Sequence, residues 1–157
     1  MKSRLRTAAI SVSIALVLLA GTASSAFAAP PLKVHIEVDE IVATSGEPFL
    51  ASGPAVLAGL VCPSGTVDDL SGTVSGSPGG AFSILHVLKR FNCDDASGTF
   101  DVALTVKLNN STHFTTASWR IVAGTGNYVG LHANGSLAGT PIVPAVSIHD
   151  VYDGKVH

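Results

Sequence analysis

Apolar and polar residues alternate along much of the chain, most clearly in two segments. In LKVHIEVD, residues 32–39, every second residue from Leu32 to Val38 is apolar. In GTFDVALTVKL, residues 98–108, the apolar positions run in steps of two from Phe100 to Leu108. A period of two is typical of a strand with one buried face. Both segments are therefore predicted to be half-buried strands.

Three further segments are also predicted to be strands. Residues 81–91, AFSILHVLKRF, are apolar on both faces, and residues 112–123, THFTTASWRIVA, are rich in strand-forming residues. Residues 146–156, VSIHDVYDGKV, alternate again. The segment PAVLAGLVC, residues 54–62, fits either a short helix or a buried strand, and its β-branched Val56 and Val61 favour a strand.

Turn signals separate these segments, including CPSG, SGSPGG, CDDASG and GTGN. Strands of this length at a spacing of roughly ten to fifteen residues indicate an all-β antiparallel fold. We predict a single barrel, with a β-sandwich as the alternative.

The first 28 residues have the order of a secretory signal peptide. Three basic residues precede an apolar run, and Ala26-Phe27-Ala28 offers a small-x-small cleavage site. The apolar run is short for a membrane span, although an uncleaved anchor is the alternative. We expect an exported protein, secreted or periplasmic, with one domain over residues 29–157 and no membrane insertion after cleavage.

The charge of the mature chain argues against one class of partner. Removing residues 1–28 leaves six basic and eleven acidic residues, a net charge of −5 with histidine neutral. An acidic surface without a basic patch repels nucleic acid, so we expect no nucleic-acid binding.

The two cysteines, Cys62 and Cys93, both lie in the exported part. An even pair in an oxidising compartment is most simply one structural disulfide. Redox pairs usually occur as C-x-x-C, and a metal site needs more ligands.

A glycine-rich stretch, WRIVAGTGNYVGLHANGSLAG, spans residues 119–139. A phosphate-binding loop needs a helix N-terminus after its glycines, and usually a lysine. Neither follows Gly130 here, so we interpret the stretch as a strand, a tight turn and a second strand.

Within that stretch, Gly124, Thr125, Gly126, Tyr128 and Gly130 match a GTG-x-[YF]-x-G segment. It resembles the segment joining two late strands in the eight-stranded barrels of the allene oxide cyclase and dirigent superfamily. The layout CPSG, FNCDDASGTF, WRIVAGTGNYVGL and DVYDGKV is similar to that of small bacterial exported proteins of uncharacterised function. The resemblance covers residues 60–156 and implies an eight-stranded barrel and export. No residue here matches the pocket residues of the plant cyclases, so it implies no reaction.

Two clusters of polar residues are candidate sites. His35, Glu37 and Asp39 share one strand face, so Glu37 or Asp39 is a candidate general acid or base at a barrel mouth. A solvated outer face is the favoured interpretation. The second cluster lies in the C-terminal strand, where alternation separates Asp150 and Tyr152 from His149 and Asp153, and a surface position is again favoured.

Other residues have simpler interpretations. The pairs Asp68-Asp69 and Asp94-Asp95 are predicted to form turns rather than a calcium site. The six histidines lie too far apart for a zinc motif, and we expect no metal and no cofactor. Trp119 is predicted to be a core residue, with a sugar-stacking platform as the alternative.

No catalytic set can be assigned from the sequence. We expect a non-catalytic binding or envelope-associated protein that holds an apolar small molecule. The alternatives are a cyclase- or dirigent-like enzyme acting on an apolar substrate, and a protein-interaction or inhibitor module. An open interior with a carboxylate among apolar walls would favour ligand binding or the cyclase-like enzyme. An interior filled by side chains would exclude both of these functions.

Overall fold

The computed structural model describes residues 30–42, 44–75 and 80–157. The predicted signal peptide and its cleavage site lie outside the described residues. No helix in these ranges is long and apolar enough to span a membrane.

Eight antiparallel strands form one closed barrel, in which each strand pairs with the next and the last pairs with the first. The strands are β1 (Leu32–Ile41), β2 (Ser45–Ser52), β3 (Ser64–Ser75), β4 (Phe82–Cys93), β5 (Thr99–Asn109), β6 (Thr115–Gly124), β7 (Ala133–Val143) and β8 (Ser147–Val156). The predicted barrel is confirmed, and the sandwich alternative is excluded because the sheet closes through ten residue pairs between β1 and β8.

The prediction of a strand over residues 54–62 was wrong. A short helix, α1 (Pro54–Leu57), occupies the start of this segment. Proline at its first position has a backbone angle suited to a helix start. The backbone N–H of Ala58 donates to the carbonyl of Pro54 at 3.0 Å, so local bonds replace strand pairing.

Aromatic side chains fill one half of the barrel. Phe91 stacks on Phe100 with ring centroids 4.9 Å apart, and Phe49 and Tyr152 meet Phe91 edge-on. Trp119 is 4 % exposed and its indole N–H donates to the Ser136 carbonyl at 3.0 Å. The core prediction for Trp119 is therefore confirmed, and this half of the interior is packed with buried aromatic side chains.

The disulfide between Cys62 and Cys93 is present, as predicted. It joins the segment after α1 to the last residue of β4, at the same end of the barrel as the aromatic core. The disulfide therefore holds the segment between α1 and β3 against the half of the barrel that is filled by aromatic side chains.

The glycine stretch forms a corner, as predicted. β6 ends at Gly124, a 3-10 turn covers Gly126–Tyr128, and β7 begins at Ala133. Gly126 has a φ of +57°, and a side chain there would lie 2.2 Å from the Ser97 carbonyl oxygen. The buried Tyr128 hydroxyl lies 2.6 Å from the Ser97 hydroxyl. The corner therefore packs directly onto the loop before β5.

Candidate functional site

Four charged residues occupy inward-facing positions in the other half of the barrel. In the register of the sheet, Lys89 of β4 pairs with Asp69 of β3, and Asp150 of β8 pairs with Val38 of β1. Glu40 follows Val38 on the same inward face of β1. The strands therefore bring three carboxyl groups and one ammonium group together in the middle of the barrel. We call Glu40, Asp69, Lys89 and Asp150 the charged floor.

Lys89 holds the charged floor together. Its Nζ donates to Glu40 Oε2 and, at 2.8 Å, to Asp69 Oδ1. The side chains of Lys89 and Glu40 are each 8 % exposed, and that of Asp69 is 27 % exposed. Charges so far from water are tolerated because each has an opposite charge in contact.

Three polar atoms around the floor have no hydrogen-bond partner within the described part of the chain. They are Glu40 Oε1, Asp150 Oδ1 and the Tyr152 hydroxyl. Glu40 is 7 % exposed, Asp150 is 6 % exposed and Tyr152 is 1 % exposed. Buried polar groups are normally hydrogen-bonded, so these atoms are unusual.

A cavity of about 690 Å³ extends from the charged floor to the end of the barrel. All four floor residues line it. Its walls are mainly aliphatic side chains, among them Leu85, Val87, Leu104, Val106, Leu108 and Leu137. The volume lies within the range of small-molecule pockets, roughly 300–1,000 Å³. The site therefore combines apolar walls with a small polar end.

The mouth of the cavity is surrounded by exposed apolar side chains. Val42 and Ala145 line the cavity, and large apolar residues close to them in the chain are exposed. These exposed residues are Ile41, Val42, Ile142, Val143 and Val146. The apolar surface therefore extends from the mouth of the cavity to its inner walls.

The environment of the floor changes the protonation of its groups. Burial is the main reason that the pKa of Asp150 is raised to about 7, and the charge of Glu40 acts in the same direction. Burial also raises the pKa of Glu40, against the opposing effect of Lys89. Burial lowers the pKa of Lys89, but the charges of Glu40 and Asp69 outweigh this and raise it overall. Burial in the floor therefore brings the pKa of the Asp150 carboxyl close to neutral pH.

The candidate residues His35, Glu37 and Asp39 lie on the outer face of β1, away from the cavity. The ring nitrogens of His35 lie 2.8 Å from Asp153 Oδ1 and 3.2 Å from Glu37 Oε1. These hydrogen bonds raise the pKa of His35. The structure brings His35 and Glu37 together with Asp153, whereas Asp39 lies beside His149. None of the three candidates is among the cavity-lining residues.

Two sequence-based interpretations of the acidic residues were wrong. Asp150 and Tyr152 share one face, as alternation predicted, but that face is the interior rather than the surface. Asp68 and Asp69 lie within β3 instead of a turn, because β3 extends to Ser75 through a bulge between Asp69 and Ser71. His149 stays outside and its Nδ1 lies 2.7 Å from Asp39 Oδ1.

The other predicted turn pair has the expected role. Asp95 Oδ1 accepts a hydrogen bond from the backbone N–H of Ser97 at 2.9 Å, and Asp94 accepts one from the Ser64 hydroxyl at 2.8 Å. Across the described ranges, no three His, Cys, Asp or Glu side chains are arranged to hold a metal ion.

Comparisons with protein-family models, curated proteins and solved structures found no match for this chain.

Proposed function

We propose that this protein binds a small, mostly apolar molecule in the open half of the barrel. The observation that carries the proposal is the cavity of about 690 Å³, with aliphatic walls and a buried charged floor. Ligand sites in proteins are typically apolar clefts with a few fixed polar groups, and this cavity has that composition.

The unpaired oxygens of the floor support the same proposal. Leaving a buried polar atom without a partner destabilises a protein by about 1–3 kcal/mol. Glu40 Oε1 and Asp150 Oδ1 are both buried, and both residues line the cavity. A ligand that supplies donors to these atoms would recover part of that free energy on binding.

As further parts of this proposal, the barrel belongs to the allene oxide cyclase and dirigent type, and the mature protein acts outside the cytoplasm. The first rests on the Gly124 to Gly130 segment and the eight-stranded barrel, and the second on the composition of residues 1–28.

A fluorescence titration with N-phenylnaphthylamine, a neutral apolar probe, tests the binding proposal. We expect saturable enhancement with one probe per chain. Leu85→Trp, which places an indole in the cavity wall, should abolish it. Ile84→Trp on the outer face of the same strand is the matched control and should leave it unchanged. No saturable signal, or equal signals in both variants, would refute cavity binding.

One observation favours a second candidate, a proton-transferring isomerase or cyclase. A carboxyl whose pKa is about 7 beside an apolar cavity is suited to act as a general acid or base. For a ligand identified by native mass spectrometry, this candidate predicts deuterium incorporation from D2O in the wild type and none with Asp150→Asn. Absence of exchange in the wild type would leave binding as the function.

A further inference from the structure

We infer that the ligand carries a cationic group, such as an ammonium, at the end that reaches the charged floor. This inference rests on the proposed binding function and specifies the chemistry of the ligand.

The balance of charge at the floor favours a cation. Three carboxyl groups, those of Glu40, Asp69 and Asp150, surround one ammonium group, that of Lys89. Lys89 already donates to Glu40 and Asp69, whereas Asp150 receives no hydrogen bond at Oδ1 from the described residues. With all three carboxyl groups ionised the floor has a net charge of −2, so a cationic group would be attracted to it and an anionic group would be repelled.

The free atoms of the floor are of the type that a cation requires. Glu40 Oε1 and Asp150 Oδ1 are carboxylate oxygens, which only accept hydrogen bonds when ionised. Hydrogen bonds from a charged donor to a carboxylate are about twice as strong as neutral ones. An ammonium group supplies several such donors, and an alcohol supplies one.

A glycine in the neighbouring strand accommodates the carboxyl group of Asp150. Gly139 of β7 pairs with Asp150, and a side chain at Gly139 would lie 2.4 Å from Asp150 Oδ1 and 2.1 Å from Thr115 Oγ1. The glycine therefore lets the carboxyl group of Asp150 lie close against the backbone of β7.

Protonation of Asp150 should modulate this binding. The titratable groups around it are Glu40 from β1, Asp69 from β3, Lys89 from β4 and Tyr152 from its own strand. His149 lies on the outer face, and His113 lines the cavity wall. The pKa of Asp150 is about 7, so the carboxyl is neutral in mildly acidic solution and charged in mildly basic solution. A cation should bind more tightly as the pH rises through this range.

Calorimetric titration with three probes of equal chain length tests the inference. These are decylammonium, whose amine, like that of lysine, stays protonated at pH 8, decanol and decanoate. At about pH 8 we expect decylammonium to bind roughly tenfold more tightly than decanol, and decanoate most weakly. Equal or tighter binding of decanol or decanoate would overturn the inference while supporting apolar binding. No binding of any probe would instead count against the proposed function.

The role of Asp150 is tested by an isosteric change and by pH. Asp150→Asn should weaken decylammonium binding roughly tenfold at about pH 8 and remove the tightening between about pH 5 and pH 8. Asp153→Asn, on the outer face of the same strand, should keep both the affinity and the pH profile. A flat pH profile in the wild type would overturn the inference even if Asp150→Asn failed to fold.

Discussion

Lys89 is the residue on which the stability of the interior depends most directly. It is 6 % exposed and forms ion pairs with both Glu40 and Asp69. A buried ion pair adds little compared with apolar packing, but removing one partner leaves an uncompensated buried charge. The same residue also holds two of the carboxylates that form the proposed ligand floor.

Lys89→Met should therefore lower the free energy of unfolding at neutral pH by about 3 kcal/mol or more. Lys155→Met, at an exposed position on the outer face of β8, is the control and should change it by no more than about 0.5 kcal/mol. Urea denaturation of both variants measures the difference. Similar values for the two would contradict a structural role for the ion pairs.

Asp150 should make the protein less stable as the pH rises. Its pKa in the folded state is about 7, above the ordinary value of 3.8, so the folded protein binds more protons than the unfolded chain between these values. The free energy of unfolding should then fall across this window, by roughly 4 kcal/mol at most, and level off above it.

Asp150→Asn should remove that dependence and stabilise the protein at about pH 8 relative to the wild type, with a smaller gain at about pH 5. Urea denaturation across this range measures it. A gain that is independent of pH would contradict the assignment. Stabilisation by loss of a buried carboxyl would fit a residue kept for function rather than for folding.

Part of the floor was detectable in the sequence. The alternation of Leu32, Val34, Ile36 and Val38 continues to Glu40, which puts a carboxylate where the pattern requires an apolar residue. Lys89 likewise shares its face with apolar neighbours. Pattern analysis ended the first strand at Asp39 and so missed Glu40. That the floor groups meet depends on register, which the sequence does not specify.

At the scale of elements, the alternation of apolar and polar residues predicted strands well. It failed where local backbone hydrogen bonds form a helix instead of strand pairing. The burial pattern of β1 alternates with a period of two, and that of β5 does so from Val102 onward. The helix at Pro54 was missed because β-branched residues nearby suggested a strand. The bulge after Asp69 extends β3, and the sequence contains no local signal for it.

The contact between β6 and β8 depends on a glycine. A side chain at Gly154 would lie 2.3 Å from Trp119 Cζ2 and 2.6 Å from the Asn134 carbonyl oxygen. Gly154→Ala should lower the free energy of unfolding by about 2 kcal/mol, because the indole must move within a packed core. Gly72→Ala, which would meet no atom within 4 Å, is the control. Equal stability of the two variants would contradict this packing, and the fluorescence of Trp119, the only tryptophan, reports any displacement.

The disulfide should stabilise the barrel by restricting the unfolded chain. It closes a loop with a sequence separation of 31, which corresponds to about 3.7 kcal/mol in the chain-entropy model. Reduction should lower the melting temperature by roughly 10 °C. A variant with both Cys62→Ser and Cys93→Ser should melt at the lower temperature and not respond to reductant. An unchanged melting temperature on reduction would contradict a stabilising role.

At the scale of the whole molecule, the barrel has a filled half and an open half. Phe49, Phe91 and Phe100 close one end, and the charged floor separates them from the cavity at the other. The sequence predicted the barrel and its disulfide, but the division of the interior depends on which side chains meet across eight strands. The sequence pointed to the outer residues His35, Glu37 and Asp39 because they lie close together in one strand. The floor residues come from four strands, so their proximity is not visible in the sequence.

A methyl NMR titration with N-phenylnaphthylamine tests directly whether a ligand occupies the open half. We predict saturable shifts of the methyl resonances of Val87, Val106 and Leu137, which line the cavity, with no comparable shifts for Val34 and Val156 in the filled half. Shifts confined to exposed residues such as Leu50 and Leu57, or no saturable shift at all, would contradict a ligand-binding barrel.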